Sequence, residues 1–169
     1  MQPPYFVKDQ GFMADLKKEK VSLSELYPAM KAVLESGGEF LFYPDGKSML
    51  PTIKHGRDGV CVVKAEKLSR GDILLYRRRD GSFVLHRLVK KEKNGSLTMR
   101  GDSQFIDERG VSLDAVIGKA CAIERNGKKK STASLSFRTR SALRLFFYPL
   151  KRFLHRACGK IKRTVRGQR

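Results

Sequence analysis

The segment Ile73-Leu74-Leu75-Tyr76-Arg77-Arg78-Arg79-Asp80-Gly81-Ser82-Phe83-Val84-Leu85-His86-Arg87-Leu88-Val89 holds two strand-length apolar runs with Asp80-Gly81 between them. Successive strand residues point to opposite faces, and a dipeptide that tolerates positive φ can reverse the chain between two such runs. The segment reads as a β-hairpin, the run 73–78 returning as 82–89, with Asp80-Gly81 as its two-residue turn. Asn94-Gly95 repeats the signal and returns the chain along residues 97–100. Upstream, residues 39–43 and 59–63 are further strand-like runs, and residues 116–123 supply a last one. Helical segments do not alternate with these runs, so a parallel sheet built from βαβ units is excluded. The prediction is a mainly β domain of consecutive hairpins.

One short helix is expected ahead of the sheet. Ser22-Leu23-Ser24-Glu25 has the spacing of a capping box, Leu26, Met30, Val33 and Leu34 recur at helical intervals, and Gly37-Gly38 end the element. The 169 residues amount to about one domain, and 40% apolar content with ten Phe supports a folded core. The net charge of +19 is unevenly spread: 21 Lys/Arg face 17 Asp/Glu through Glu124, whereas the remainder holds 15 Lys/Arg and no acid. The organisation predicted is a poorly ordered leader at 1–21, a folded domain at 22–124 and a basic tail at 125–169.

Cys61, Cys121 and Cys158 lack paired spacing, so neither a disulfide framework nor a zinc site is expected, and no cofactor is implied. Cys61 and Cys121 read as small core residues. Met1-Gln2-Pro3-Pro4 has no basic start followed by an apolar stretch, and no run reaches the roughly 18 apolar residues of a membrane span. A cytoplasmic protein is the expectation.

Gly46-Lys47-Ser48-Met49-Leu50-Pro51-Thr52 follows the first strand-like run. Gly46-Lys47-Ser48 mimics the end of a phosphate-binding loop, but Leu41 stands where that motif needs glycine, and Pro51 interrupts the helix that should follow. The alternative is a tight turn presenting the Ser48 hydroxyl, or an ordinary turn serine. A serine hydroxyl needs a base within hydrogen-bond reach before it can attack an amide. Of the three histidines, His55 lies in a charged loop and His155 in the basic tail, while His86 sits mid-strand on a face with Val84 and Leu88. Such a histidine is ordinarily a satisfied core residue. The strand returning after Asn94-Gly95, however, carries Asp102 near its end, with Asp107 and Glu108 just beyond. Ser48, His86 and one of Asp102 or Asp107 make a candidate triad in chain order.

Ser-Met-x-Pro at 48–51, Gly-Asp at 71–72 opening an apolar strand, His-Arg at 86–87, and Arg-Gly-Asp at 100–102 with a further acid after it resemble the type I signal peptidase superfamily. That superfamily is shared with the self-cleaving repressor proteases. The likeness covers residues 38–124 and is greatest to the endoplasmic-reticulum and archaeal signal peptidases and their small bacterial relatives, in which histidine replaces lysine as base. The resemblance implies a signal-peptidase-like β domain and a serine endopeptidase with Ser48 as nucleophile and His86 as general base. It implies a supporting acid about half a dozen residues beyond the Gly-Asp pair, which selects Asp107, with Asp102 second and Glu108 third. Its substrates would be peptides or precursor proteins, with small residues before the cleaved bond. Gly46 stands where relatives carry a hydroxyl residue, so the oxyanion would rest on backbone amides, that of Ser48 included. Lys90 or Lys91 as base, a non-catalytic peptide- or membrane-binding module on the same fold, and a repressor-type self-cleaving regulator are the alternatives.

In the tail, Leu143, Phe146, Phe147, Leu150, Phe153, Leu154, Ala157 and Ile161 fall on one helical side, with Arg144, Lys151, Arg152, His155 and Arg156 largely on the other. Pro149 is expected to kink or divide this helix. A basic amphipathic helix over 141–163 fits an in-plane contact with an anionic membrane, making the protein peripheral to it. Docking on the body and nucleic-acid binding are the alternatives; the phenylalanines exceed what phosphate contacts need.

Overall fold

The computed structural model describes residues 22–166; the leader predicted at 1–21 lies outside them. Helix α1 (Leu23–Glu35) begins with the predicted capping box: the Ser22 side chain accepts from the Glu25 amide, and the Glu25 carboxylate accepts from the Ser22 amide at 2.8 Å. Eight strands follow: β1 (Phe40–Phe42), β2 (Gly59–Val63), β3 (Ile73–Arg77), β4 (Phe83–Lys91), β5 (Leu97–Arg100), β6 (Glu108–Val111), β7 (Val116–Arg125) and β8 (Lys128–Ser131). Helix α2 (Leu135–Arg166) ends the described chain. The fold is mainly β, as the hairpin signals predict.

All strand pairs are antiparallel, in the order β1-β2-β7-β3-β4-β5-β6, with β8 also on β7. Alternation splits β3 between two cores. Ile73 and Leu75 join Met30 and Leu34 of α1, Phe42, Ile53, Val60, Val62 and Leu85 on one face; Leu74 and Tyr76 join Leu88, Leu97, Met99 and Val111 on the other. Both faces are buried, so β3 reads as a continuous apolar run.

The hairpins form where expected, with different turns. Gly81 N donates to Arg78 O at 3.0 Å and Arg78 N to Ser82 O at 2.8 Å, so the loop has three residues, with Gly81 at φ +85°. Glu92, Gly95 and Ser96 repeat the pattern, with Gly95 at φ +82°. This is a turn followed by a left-handed glycine, rather than the two-residue turn predicted. Asn126-Gly127 does make the two-residue turn, with both φ angles positive at 52° and 72° and Arg125 opposite Lys128. The chain after it, read from sequence as the start of the basic tail, is an exposed edge strand whose lysines hide its pairing.

Helix α2 begins earlier than expected and contains Pro149 within one unbroken element. It packs on the body through Phe137, Ser141, Leu145 and Tyr148: Phe137 reaches the first core, Ser141 and Leu145 are buried, and the Tyr148 ring lies 3.1 Å from the Arg100 guanidinium carbon. His155 stacks on Phe105 with ring centroids 4.0 Å apart. Leu143, Phe146, Phe147, Leu150 and Phe153 stay exposed, Phe146 at 74%. At 3.6 residues per turn this stripe lies roughly opposite the docked face. The expectations for Leu154, Arg156, Ala157 and Ile161 lie outside the described side chains.

Candidate active site

The Ser48 turn is held from the β5–β6 connection. Ser103 donates to the Ser48 carbonyl through its amide at 2.9 Å and its hydroxyl at 3.0 Å. A Cβ on Gly101 would come within 2.7 Å of that carbonyl oxygen, so only glycine permits the approach. The Ser48 hydroxyl has no hydrogen-bond partner among the described residues and is half-buried.

Four residues on, the Thr52 hydroxyl donates to Asp102, whose carboxylate also takes a bidentate pair from Arg87, Nε to Oδ1 and Nη2 to Oδ2, each at 2.7 Å. Arg87 Nη1 donates to Gly71 O at 2.7 Å and to Ser141 Oγ of α2 at 2.8 Å. Burial alone would raise the Asp102 pKa, but the Arg87 hydrogen bonds and charge, with Thr52, override it and hold the group below its ordinary value. Asp102 thus serves Arg87, the residue after the histidine. Arg87 is 2% exposed and joins sheet, Ser48 turn and helix α2.

His86 lies opposite Leu74 on the other face of β4, also 2% exposed. Its Nδ1 is 3.1 Å from the hydroxyl of Tyr76, which sits diagonally across the β3–β4 pair. That hydroxyl donates to Glu108 Oε2 at 2.6 Å. Arg78 clamps the same carboxylate, Nε to Oε1 at 2.7 Å and Nη2 to Oε2 at 2.6 Å. Direct approach of Glu108 Oε2 to Nδ1 is 3.7 Å, beyond hydrogen-bonding range. Burial pushes the His86 pKa down from 6.5 to about 4; Glu108 and Asp102 pull it up and Arg78 pushes it lower. The Arg78 hydrogen bond holds Glu108 below its ordinary range. Burial and the bond to Glu108 raise the Tyr76 phenol. At neutral pH the site is therefore a neutral imidazole, a protonated phenol and an ionised carboxylate.

Asp107 accepts from Arg100 Nη1 at 2.9 Å. Of the three acids weighed from sequence, Glu108 is the one within 4 Å of the imidazole, and it reaches Nδ1 through a tyrosine. Ser48 and His86 are both linked to the 101–108 segment, but no hydrogen bond joins them. The Ser48 turn packs on the Arg87 side of the sheet, through Met49 and Ile53 in the first core and Thr52 beside Arg87, whereas His86 shares the face of Leu74 and Tyr76. A cavity of about 760 Å³ opens beside Glu108, lined by Arg78, Phe105, Ile106, Asp107, Arg152 and His155 among others, so α2 forms part of its wall.

Neither a scan of protein-family models nor a comparison with curated proteins finds a match. Among the described residues no helix is long and apolar enough to cross a membrane.

Proposed function

We propose that this chain is a serine hydrolase that cleaves peptide bonds, with Ser48 as nucleophile and His86 as general base. More narrowly, we read it as an endopeptidase similar to the signal peptidase superfamily, working peripherally at a membrane surface. The carrying observation is the state of His86: a buried, neutral imidazole with Nδ1 engaged by Tyr76 and Glu108 beyond it. That environment keeps the free base populated at neutral pH and places an acid to stabilise the cation, while burial makes the resting ring a weaker base than free imidazole.

In the reaction, Ser48 Oγ attacks the substrate carbonyl carbon while its proton passes to His86 Nε2. Backbone amides, that of Ser48 among them, receive the oxyanion. Collapse breaks the C–N bond, and the imidazolium returns its proton to the leaving amine. Water then attacks the acyl-enzyme with His86 again as base, releasing the acid and restoring Ser48.

The membrane part rests on α2. Its Phe146, Phe147, Leu150 and Phe153 stripe faces away from the body, and residues 125–169 carry 15 cations and no acid. Such a helix lies in the headgroup region with its cations on anionic lipid.

The test is labelling by a serine-reactive acylating probe in the presence of anionic vesicles, read by intact mass. Labelling of the native protein that vanishes in Ser48→Ala and falls at least ~100-fold in His86→Ala is expected, since a general base contributes about 10²–10⁴-fold. Absence of labelling, or labelling indifferent to His86, would leave the non-catalytic binding module, the reading that the unpartnered Ser48 hydroxyl favours.

A further inference from the structure

We propose that Tyr76 is a positioning residue that selects the tautomer of His86, holding the proton on Nδ1 and leaving the Nε2 lone pair bare. The consequence for rate rests on the peptidase reading; the tautomer itself does not.

The protons along one chain of contacts can be counted. Ionised Glu108 can only accept, and it already takes both Arg78 donors. Tyr76 has a single hydroxyl proton and two neighbours, the carboxylate at 2.6 Å and the imidazole nitrogen at 3.1 Å. A phenol bonds a carboxylate more strongly and at shorter range than a neutral nitrogen. The proton goes to Glu108. What remains between Tyr76 and His86 is a phenolic oxygen facing Nδ1, and that contact is a hydrogen bond only if Nδ1 carries the hydrogen. The run is Nδ1–H to Tyr76 O, Tyr76 O–H to Glu108, with Arg78 fixing the far end. A neutral imidazole holds one proton, so Nε2 is the acceptor.

The geometry also separates two jobs that one acid does in a directly bonded triad. The phenol fixes ring orientation and tautomer at hydrogen-bond distance. Glu108, at 3.7 Å from Nδ1, supplies charge for the imidazolium without standing in the bond. When Nε2 takes the Ser48 proton, no other proton need move. Sequence reading misses Tyr76, because a strand tyrosine beside apolar neighbours reads as core.

The experiment uses full-length protein with nitrogen-15-labelled histidine, and long-range proton–nitrogen correlation spectra at pH 7. His86 is assigned by loss of its signals in His86→Gln. The native protein is expected to show His86 as the Nδ1–H tautomer. Tyr76→Phe removes the acceptor and should move the ring to Nε2–H or a mixture. Glu108→Gln supplies an amide that can donate to the phenolic oxygen, turning the Tyr76 proton toward Nδ1 and giving the same change with the tyrosine in place. Thermal melts accompany both variants, and if Tyr76→Phe does not fold, Glu108→Gln alone decides. A native Nε2–H ring, or Nδ1–H unchanged in the folded variants, overturns the proposal. In parallel, Tyr76→Phe should slow probe acylation about tenfold or more, in the rate step rather than in probe affinity. A native protein that shows the Nδ1–H ring but is never labelled would sink the peptidase reading and leave the tautomer assignment standing.

Discussion

His86 and Arg87 are consecutive residues of one strand, equally buried, and they point to opposite faces of the sheet. On one face the protein keeps a titratable ring neutral by burial, with the nearest carboxylate one phenol away. On the other it keeps a permanent cation and meets it with a bidentate carboxylate, a carbonyl and a hydroxyl. Arginine cannot shed its proton, so burial must supply partners; histidine can, so burial alone settles its state. The two sides therefore tolerate damage differently.

The most damaging single substitution is Asp102→Ala. It strands a buried guanidinium and should cost about 3–5 kcal/mol, seen as a large fall in the urea midpoint, whereas an apolar pair at both positions should recover much of the loss. A cost below about 1 kcal/mol would mean that Arg87 finds water, and that the asymmetry is false.

Acid titration probes the other face. With a folded pKa near 4 against 6.5 when unfolded, His86 contributes stability that is present above pH 6.5 and lost as pH falls toward 4. The loss across that window should reach roughly 3 kcal/mol at most. Unfolding midpoints measured from pH 7 to pH 4 should flatten in His86→Gln. Asp102 and Glu108, whose pKa values are depressed, begin to lose their contributions below about pH 5 in native protein and variant alike, so the difference between the two slopes reports His86. An equal slope in the variant would mean that the ring is already solvated.

The smallest stability effect belongs to Phe146→Ser combined with Phe153→Ser. Both side chains are exposed, so folding should change by no more than about 0.5 kcal/mol per site. Cosedimentation with anionic vesicles should nevertheless be lost. Retained binding would assign attachment to charge alone.

The sequence makes most strands legible because alternation and glycine-containing turns are local. Register is less so. With the two-residue turn read from Asp80-Gly81, Leu75 would pair with His86 and Tyr76 would face the other core. The three-residue loop shifts the pairing by one and sets Tyr76 on the histidine's face. Choosing among Asp102, Asp107 and Glu108 depended on which arginine each meets, and Arg87, Arg100 and Arg78 lie 15, 7 and 30 residues away from them. Spacing carries no trace of that. The lysines of β8 concealed a strand held by backbone pairing to β7 and an exposed ion pair from Lys129 to Glu39, and the docked side of α2 mixes Phe, Ser and Tyr in a way that periodicity does not mark as a contact face.

Because α2 meets the sheet on one side and exposes its phenylalanines on the other, it would also be a spacer at a membrane surface. A helix with side chains is about 10–12 Å across. If the outer stripe rests on lipid, the body stands off from the bilayer by nearly that distance. An extended chain advances about 3.3 Å per residue, so a substrate emerging from the membrane must clear it by roughly three residues before the cleft can take it. On the proposed reading as a membrane-peripheral peptidase, a thinner helix face would admit bonds nearer the bilayer and a second layer would exclude them; the standoff would act as a ruler for where along an emerging chain the cut can fall.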